Sequence, residues 1–255
     1  IYHPQAGKLN ITGGEITGDT GIEMRAGDVN VSGNAVIRGT MTPTTVKPEG
    51  NGSTSDGVGL AIAQHSTKLP INVSVSGGTI EGYSALYESN PEKNPAESIA
   101  AVTMDIMGGT FNAISGGAVA VYSEDCSSFI SGGTFSSDPS AYIAEGSSSM
   151  PQQDGTFVVA KAAVAKIGET VYSSLQEAFD AAENGQTVVL TSDVAVNDGD
   201  NAVRYSGGRS FTVDFASHSV TANTSNAAFV VVGGAGAESS VTFKNGTITA
   251  GPNAY

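Results

Sequence analysis

The stretch INVSVSGGTI, residues 71–80, decides the fold because it joins two patterns. Apolar residues at its first, third and fifth positions alternate with polar residues, which is typical of a strand with one buried face. The pair Gly77-Gly78 follows, and glycine lets a backbone turn through angles that are closed to other residues. The apolar residue after the pair, Ile80, is then expected to begin another strand.

The same glycine motif recurs along the chain. It occupies residues 11–16, 31–36, 75–80, 106–111 and 130–135, with a variant at 243–248. The second glycine position falls at 14, 34, 78, 109 and 133, in steps of 20, 44, 31 and 24. A turn of 20 to 24 residues explains these steps if 44 spans two turns and 31 includes an inserted loop. Two stretches that carry Pro, 42–56 and 88–97, are the predicted inserted loops.

Three short strands in each repeat predict an all-β fold, a right-handed parallel β-helix. The third strand is indicated at residues 21–24, 59–62 and 118–122. One turn cannot bury its inner face alone, so successive turns must stack, with strands about 4.8 Å apart. A β-sandwich is the alternative, because it also uses short strands, but it has no reason to repeat a glycine pair at one phase.

A second β-helix is predicted after a break. The motif disappears after Phe135, and residues 136–153 resemble a connector rich in Ser and Pro. Ser174 and Glu177 then form a capping box, which predicts a helix that ends before Asn184-Gly185. Its apolar face is expected to cover the open end of the new ladder. That face consists of Leu175, Ala178, Phe179 and Ala182.

The predicted organisation is therefore two tandem β-helical units, with one short capping α-helix at the start of the second. We assign residues 1–150 to the first β-helix with its two inserted loops. Residues 151–165 form a connector strand, and residues 166–255 form the second β-helix. No signal peptide is visible, and we interpret the chain as part of a longer protein whose targeting signals lie outside it.

Charge and apolar patterning exclude several classes of partner. The chain has 25 acidic and 11 basic residues and a formal net charge of −14, which disfavours nucleic acid and anionic lipid. No stretch of 18 uncharged apolar residues occurs, so no membrane insertion is predicted within this segment. The single cysteine, Cys126, cannot form an internal disulfide, and we interpret it as a small buried apolar residue.

Several segments resemble known β-helix proteins. Residues 172–182, followed by Thr187–Leu190, resemble the start of a pectate-lyase-like β-helix, and residues 244–248 fit the same superfamily. The repeat at residues 131–139 resembles those of large surface proteins of gut Firmicutes. The resemblance implies a secreted or cell-wall-attached, Gram-positive protein that acts in adhesion or carbohydrate binding, or as a spacer. The implied partner is a glycan or a host or bacterial surface protein. Since this fold carries lyases, hydrolases and adhesins alike, it does not decide the activity.

The residues of the chain favour a non-catalytic function. Members of the resembled superfamily that hydrolyse polygalacturonate use clustered aspartates with His-Gly and Arg-x-Lys segments. Here none of His3, His65 and His218 precedes glycine, no Asp-Asp pair exists, and neither Arg204 nor Arg209 has a lysine two residues on. A polysaccharide lyase or glycoside hydrolase of the pectate-lyase-like class remains the alternative.

Two groups of residues are candidates for binding. Tyr83, Tyr87 and Tyr122 occupy matching phases of the repeat, and exposed tyrosines can stack on sugar rings while their hydroxyls form hydrogen bonds. The alternative is that these rings pack inside the turns or against the loops. Asp198 and Asp200 are candidate calcium ligands, although Asn, Asp and Gly together also form ordinary polar turns. No other cofactor is predicted.

Overall fold

The computed structural model describes residues 1–49, 52–114, 119–197, 202–223, 228–231 and 238–250. The chain divides into two compact units, Ile1–Lys161 and Ala162–Tyr255. Strands dominate both units, and the two α-helices in the described ranges contain only four and seven residues, so the predicted all-β class is confirmed. Neither of these helices has the length and apolar character needed to cross a membrane.

The first unit consists of short strands with one α-helical turn and one turn of 3-10 helix, Ser140–Tyr142. Its elements are β1 (Tyr2–His3), β2 (Lys8–Ile11), β3 (Glu15–Gly18), β4 (Ile22–Met24), β5 (Gly27–Val31), β6 (Val36–Gly39), β7 (Thr45–Glu49), β8 (Gly52–Asp56), β9 (Val58–Ile62), β10 (Ile71–Gly82), β11 (Ser84–Glu88), α1 (Ala96–Ile99), β12 (Val102–Ala113), β13 (Val121–Ser123), β14 (Ile130–Phe135), β15 (Ser147–Pro151) and β16 (Phe157–Lys161).

Parallel ladders organise this unit. One ladder runs β1-β4-β9-β11-β13, and every neighbouring pair in it is parallel. A second runs β2-β5-β10-β12-β14 and is also parallel throughout. β3 and β6 form a third, which pairs in parallel with the later part of β10. Each ladder therefore takes its strands from successive repeats of the sequence.

The last apolar residue of each glycine motif contributes to one column of the core. Ile16, Ile37, Ile80, Phe111 and Phe135 are direct partners across neighbouring strands. All but the first are completely buried, and the rings of Phe111 and Phe135 stack with centroids 4.9 Å apart. Burial of such in-register apolar side chains is the main stabilising contribution in a stacked ladder.

The glycine pair bends a continuous strand, which corrects the expectation that a new strand begins after it. Gly77-Gly78 lies inside β10, and the corresponding pair lies inside β12, because the ladder between these strands resumes on the far side with a shift in register. Gly78 and Gly109 have φ angles of +86° and +95°, in the region that favours glycine. Separate strands flank the motif in the earliest repeats and at the variant of residues 243–248.

Two predicted loops contain structure that the sequence pattern did not indicate. Residues 42–56 include the antiparallel hairpin β7–β8. Residues 147–151, within the predicted connector-like stretch, form β15, which pairs antiparallel with β16; β16 in turn pairs antiparallel with β14. β16 therefore belongs to the sheet of the first unit, whereas the sequence analysis placed residues 151–165 in a connector.

The second unit repeats the parallel arrangement on a smaller scale. Its elements are β17 (Ala165–Ile167), β18 (Thr170–Tyr172), α2 (Leu175–Ala181), β19 (Thr187–Leu190), β20 (Val194–Asn197), β21 (Val203–Tyr205), β22 (Ser210–Asp214), β23 (Ser219–Asn223), β24 (Phe229–Val231), β25 (Ser240–Lys244) and β26 (Thr247–Ala250). Its ladders are β19-β22-β25, β20-β23-β26 and β21-β24, all parallel, and β17 joins β18 and β19 in antiparallel pairs.

Helix α2 packs as its sequence predicts. The Ser174 hydroxyl accepts a hydrogen bond from the Glu177 amide at 3.1 Å, and Leu175, Ala178 and Phe179 are buried. The Gln176 side chain also binds the backbone of Arg204 twice, donating to its carbonyl at 2.9 Å and accepting from its amide at 2.8 Å. This side-chain amide replaces a strand partner for β21, so α2 protects an edge that would otherwise be open.

Candidate binding site

The ladder of β11 and β13 brings two of the three candidate tyrosines together. Tyr87 and Tyr122 are direct partners in this parallel pair. Their neighbours Leu86 and Val121 belong to the core, so alternation points both tyrosines outward. The two rings stack with centroids 4.9 Å apart and planes 20° apart.

Exposure differs between the two rings. Tyr122 is 38% exposed, whereas Tyr87 is half-buried. Because Tyr87 covers one face of the Tyr122 ring, the exposed area of Tyr122 comes from its other face and edges. Tyr83 is not part of this pair, since it occupies the bend between β10 and β11 and is half-buried there.

A carboxylate lies beside the stacked rings. Glu124 follows β13, and its Oε2 accepts a hydrogen bond from the Asn90 amide at 3.0 Å. Burial raises the pKa of the Tyr87 phenol, and the Tyr122 ring and the Glu124 and Glu88 carboxylates raise it further. The phenol therefore stays protonated and can donate a hydrogen bond.

The buried Glu88 carboxylate positions the turn that carries Glu124. Glu88 accepts hydrogen bonds from the Ser123 hydroxyl at 2.7 Å and from the amides of Glu124 and Asp125 at 3.1 and 3.0 Å. Burial raises the pKa of Glu88, and the hydrogen bonds from Asp125 and Ser123 oppose that shift. The hydrogen bonds to Glu88 thus fix the turn on which Glu124 and Asp125 lie.

The two inserted loops cover part of the same outer face, around Glu23 in β4. Arg25 is completely buried; its Nη2 lies 2.8 Å from Oε1 of Glu92, which belongs to the second loop, and its Nη1 lies 3.8 Å from Oε1 of Glu23. From the first loop, Ser55 forms a backbone hydrogen bond to Glu23 and accepts one from Thr20. Glu23 and Arg25 are therefore buried beneath the loops, whereas Tyr122 remains exposed.

The broad outer face of the second ladder is also polar, but its groups bind one another. Asn72 donates to Asp28 at 2.8 Å and accepts from Thr103 at 2.7 Å, while Lys8 lies 3.6 Å from Asp28. Donors and acceptors that are already paired gain less from a ligand, because binding must break these contacts. The tyrosine pair is therefore the stronger candidate.

The remaining candidates are placed as follows. Asp198 and Asp200 lie outside the described residues. Among the described residues, no group of three or more His, Cys, Asp or Glu side chains is arranged to hold a metal ion. His65 lies in a turn after β9, where its Nδ1 accepts a hydrogen bond from the Thr67 amide at 3.2 Å.

Sequence reasoning missed Glu88, Arg25 and Glu23 as organising residues. Their partners come from inserted loops or from neighbouring repeats, and a single sequence carries no signal for such pairings. The sequence could have indicated Glu124, because it follows Tyr122 by two residues and residues two apart on a strand share a face.

A comparison of the chain with family models, with curated proteins and with solved structures finds no match.

Proposed function

We propose that the chain is a non-catalytic part of a secreted or cell-surface protein and that it binds carbohydrate at Tyr87 and Tyr122. The observation that carries this proposal is the stacked, outward-facing tyrosine pair with the Glu124 carboxylate beside it. Aromatic rings stack on the apolar faces of sugars, and a carboxylate accepts hydrogen bonds from sugar hydroxyls. The extracellular location follows from the resemblance to surface proteins.

The same proposal includes the finer architecture. We take each unit to be a short right-handed parallel β-helix, because its ladders are parallel and because apolar partners stack in register from one repeat to the next. Parallel strands need long crossover connections, and in this chain those connections are the other strands of each turn.

Binding to a glycan array, followed by titration of the glycans that bind, tests this function. Tyr122→Ala removes the exposed ring, and we expect about a tenfold loss of affinity, in line with the contribution of one aromatic contact. Tyr122→Phe keeps the ring and should retain most of the binding. Glu124→Gln should weaken binding to the same glycans.

Tyr2→Ala is the matched control. Tyr2 lies in the same outward row of the ladder, at its far end, and is 49% exposed. The control variant should bind as the wild type does. The proposal fails if no glycan binds, or if Tyr122→Ala binds unchanged. Cleavage of a bound polysaccharide would instead support the lyase or hydrolase alternative.

A further inference from the structure

One ladder of the first unit contains a gap four residues long. β14 pairs with β12 only from the Ile106–Ile130 partnership onward. The preceding residues of β12, Val102 to Asp105, pair with β10 on one side. On the other side, no strand of the described residues pairs with them.

The backbone on the open side of the gap has hydrogen-bonding capacity. The Ile71 amide donates to the Ala101 carbonyl, and on the opposite side the Ile106 amide donates to the Phe129 carbonyl at 2.9 Å. Since these directions alternate along a strand, the N–H and C=O groups of Val102 and Met104 point toward the gap. The Cys126 thiol lies 3.7 Å from the Val102 carbonyl, within the range of a weak hydrogen bond. Unpaired strand edges of this kind are templates for another strand.

A pocket of about 460 Å³ opens beside this edge, and we call it the β12 notch. Its floor is apolar and consists of Ile99, Val102, Met104 and Phe129, each less than a tenth exposed. This volume lies within the range of sites that hold small ligands or short peptide segments.

Residues 127–129 form one wall of the notch, and their conformation keeps them away from the open edge of β12. Ser128, which lines it, adopts a φ angle of +59°, a conformation that non-glycine residues rarely take. The next residue, Phe129, donates its amide to the Tyr142 carbonyl at 2.9 Å, and the rings of Phe129 and Tyr142 stack at 5.4 Å. These contacts keep residues 127–129 from continuing β14 along the open edge.

The negative charge at the notch favours a ligand with a cationic side chain. The exposed Asp125 lines its rim, and the chain as a whole carries a net charge of −14. A cationic side chain placed at the rim would meet Asp125 in an acidic field, whereas an anionic one would be repelled.

We infer that the β12 notch binds an extended peptide segment of a partner protein, which adds a strand of about four residues beside Val102–Asp105. An apolar side chain of this segment occupies the floor, and a lysine or arginine pairs with Asp125. Main-chain hydrogen bonds supply affinity and the pocket supplies specificity, as in other cases of strand addition. The gap is about 13 Å long, which matches four extended residues.

Synthetic peptides test this inference on the full chain. The probes are fluorescent peptides of the form acetyl-Lys-X-Thr-X-Lys amide, in which X is Val, Ile, Leu, Phe or Met, and binding is measured by fluorescence anisotropy. We expect at least one of them to bind and to slow the alkylation of Cys126, which lines the notch. Replacing both lysines with glutamates should lower the affinity at least tenfold. N-methylation of alternate backbone amides should abolish binding if the peptide pairs as a strand.

Two tryptophan variants provide the matched comparison. Ala100 lines the notch and is exposed, so Ala100→Trp should fill the notch and block the peptide without disturbing the core. Ala141 is an exposed alanine of the same unit outside the notch, and Ala141→Trp should bind normally. Ala100→Trp should leave glycan binding intact, whereas Tyr122→Ala should leave peptide binding intact, so failure of one proposal is distinguishable from failure of the other.

Three results would overturn the inference. The first is that none of the cationic peptides binds. The second is that Ala100→Trp, or N-methylation, leaves binding unchanged. The third is a concentration-dependent dimer in sedimentation that Ala100→Trp dissociates, which would assign the notch to a second copy of this chain.

Discussion

Glu23 is a buried acidic residue of the first unit. It lies on the outer side of β4 beneath the first inserted loop and is 5% exposed. Burial is the largest influence on its carboxyl and raises the pKa to about 7, while Arg25 and the Ser55 backbone act in the opposite direction and Asp56 adds to the rise. The ionised form of Glu23 is therefore disfavoured in the folded state.

This environment predicts a pH-dependent stability. Between pH 4.5 and about 7 the folded state holds a proton on Glu23 that the unfolded state has released, so stability falls as pH rises through this window. Glu23→Gln removes the titration. We expect the variant to match the wild type near pH 4.5 and to exceed its free energy of unfolding by about 2–3 kcal/mol at pH 8. Urea denaturation across this pH range measures the difference.

Glu97→Gln is the control, because Glu97 is an exposed glutamate on α1 and its replacement changes the net charge by the same amount. Its unfolding profile should follow that of the wild type. Equal pH dependence in wild type and Glu23→Gln would contradict the prediction.

At the scale of elements, the glycine bends determine how closely neighbouring strands of the ladder approach. A Cβ atom at Gly109 would lie 3.1 Å from the Gly77 carbonyl oxygen and 3.2 Å from that of Gly78. Both oxygens belong to the backbone of the neighbouring strand β10 and cannot move aside as a side chain could. The bend therefore requires glycine for its φ angle and for the space between strands.

A pair of alanine substitutions separates these two requirements. Gly155 has a φ angle of +85°, and a Cβ atom there would meet nothing within 4 Å. Gly155→Ala should therefore lower the free energy of unfolding by about 1–2 kcal/mol, the conformational penalty alone. Gly109→Ala should lower it by roughly a further 1–3 kcal/mol, because of overpacking against Gly77 and Gly78. Urea denaturation of both variants tests this order, and equal losses would show that the crowding is relieved elsewhere.

The strands that could be predicted are those whose signal is local. Alternation in residues 71–75 indicated the first half of β10, and the capping box at Ser174 indicated α2, because each pattern depends on neighbours within a few residues. The hairpin β7–β8 and strand β15 were missed, since residues 45–56 and 147–151 contain Pro, Ser and Thr without apolar alternation. Their pairing depends on partners that no local pattern reveals.

The candidate site was predicted in part. Matching positions in the repeat indicated Tyr87 and Tyr122 as candidates, and the ladder places them side by side. Tyr83 was included because its position looked equivalent, but the bend between β10 and β11 takes it off that row. The contacts of Glu88 and the β12 notch depend on which residue begins the next strand of each ladder. Inserted residues shift that position, and the sequence does not show by how much.

For the whole molecule, the division into two units is matched by two separate apolar cores. All residues of the first core cluster, from Leu9 to Val159, lie within Ile1–Lys161, and those of the second begin at Val164. In the first unit, β16 pairs antiparallel with β14 and thereby covers the last parallel edge of its ladder. Covering an exposed edge is how natural sheets avoid aggregation.

Residues 1–161 should consequently fold alone. We expect this fragment to unfold in one cooperative urea transition by circular dichroism, and to keep the glycan binding proposed for Tyr87 and Tyr122. A fragment of residues 1–145 lacks β15 and β16, and so exposes the β14 edge and removes Val159 from the core. The shorter fragment should aggregate or lose cooperativity. If 1–161 behaved no better than 1–145, the covering role of β16 would be wrong, and the first unit would depend on residues beyond Lys161.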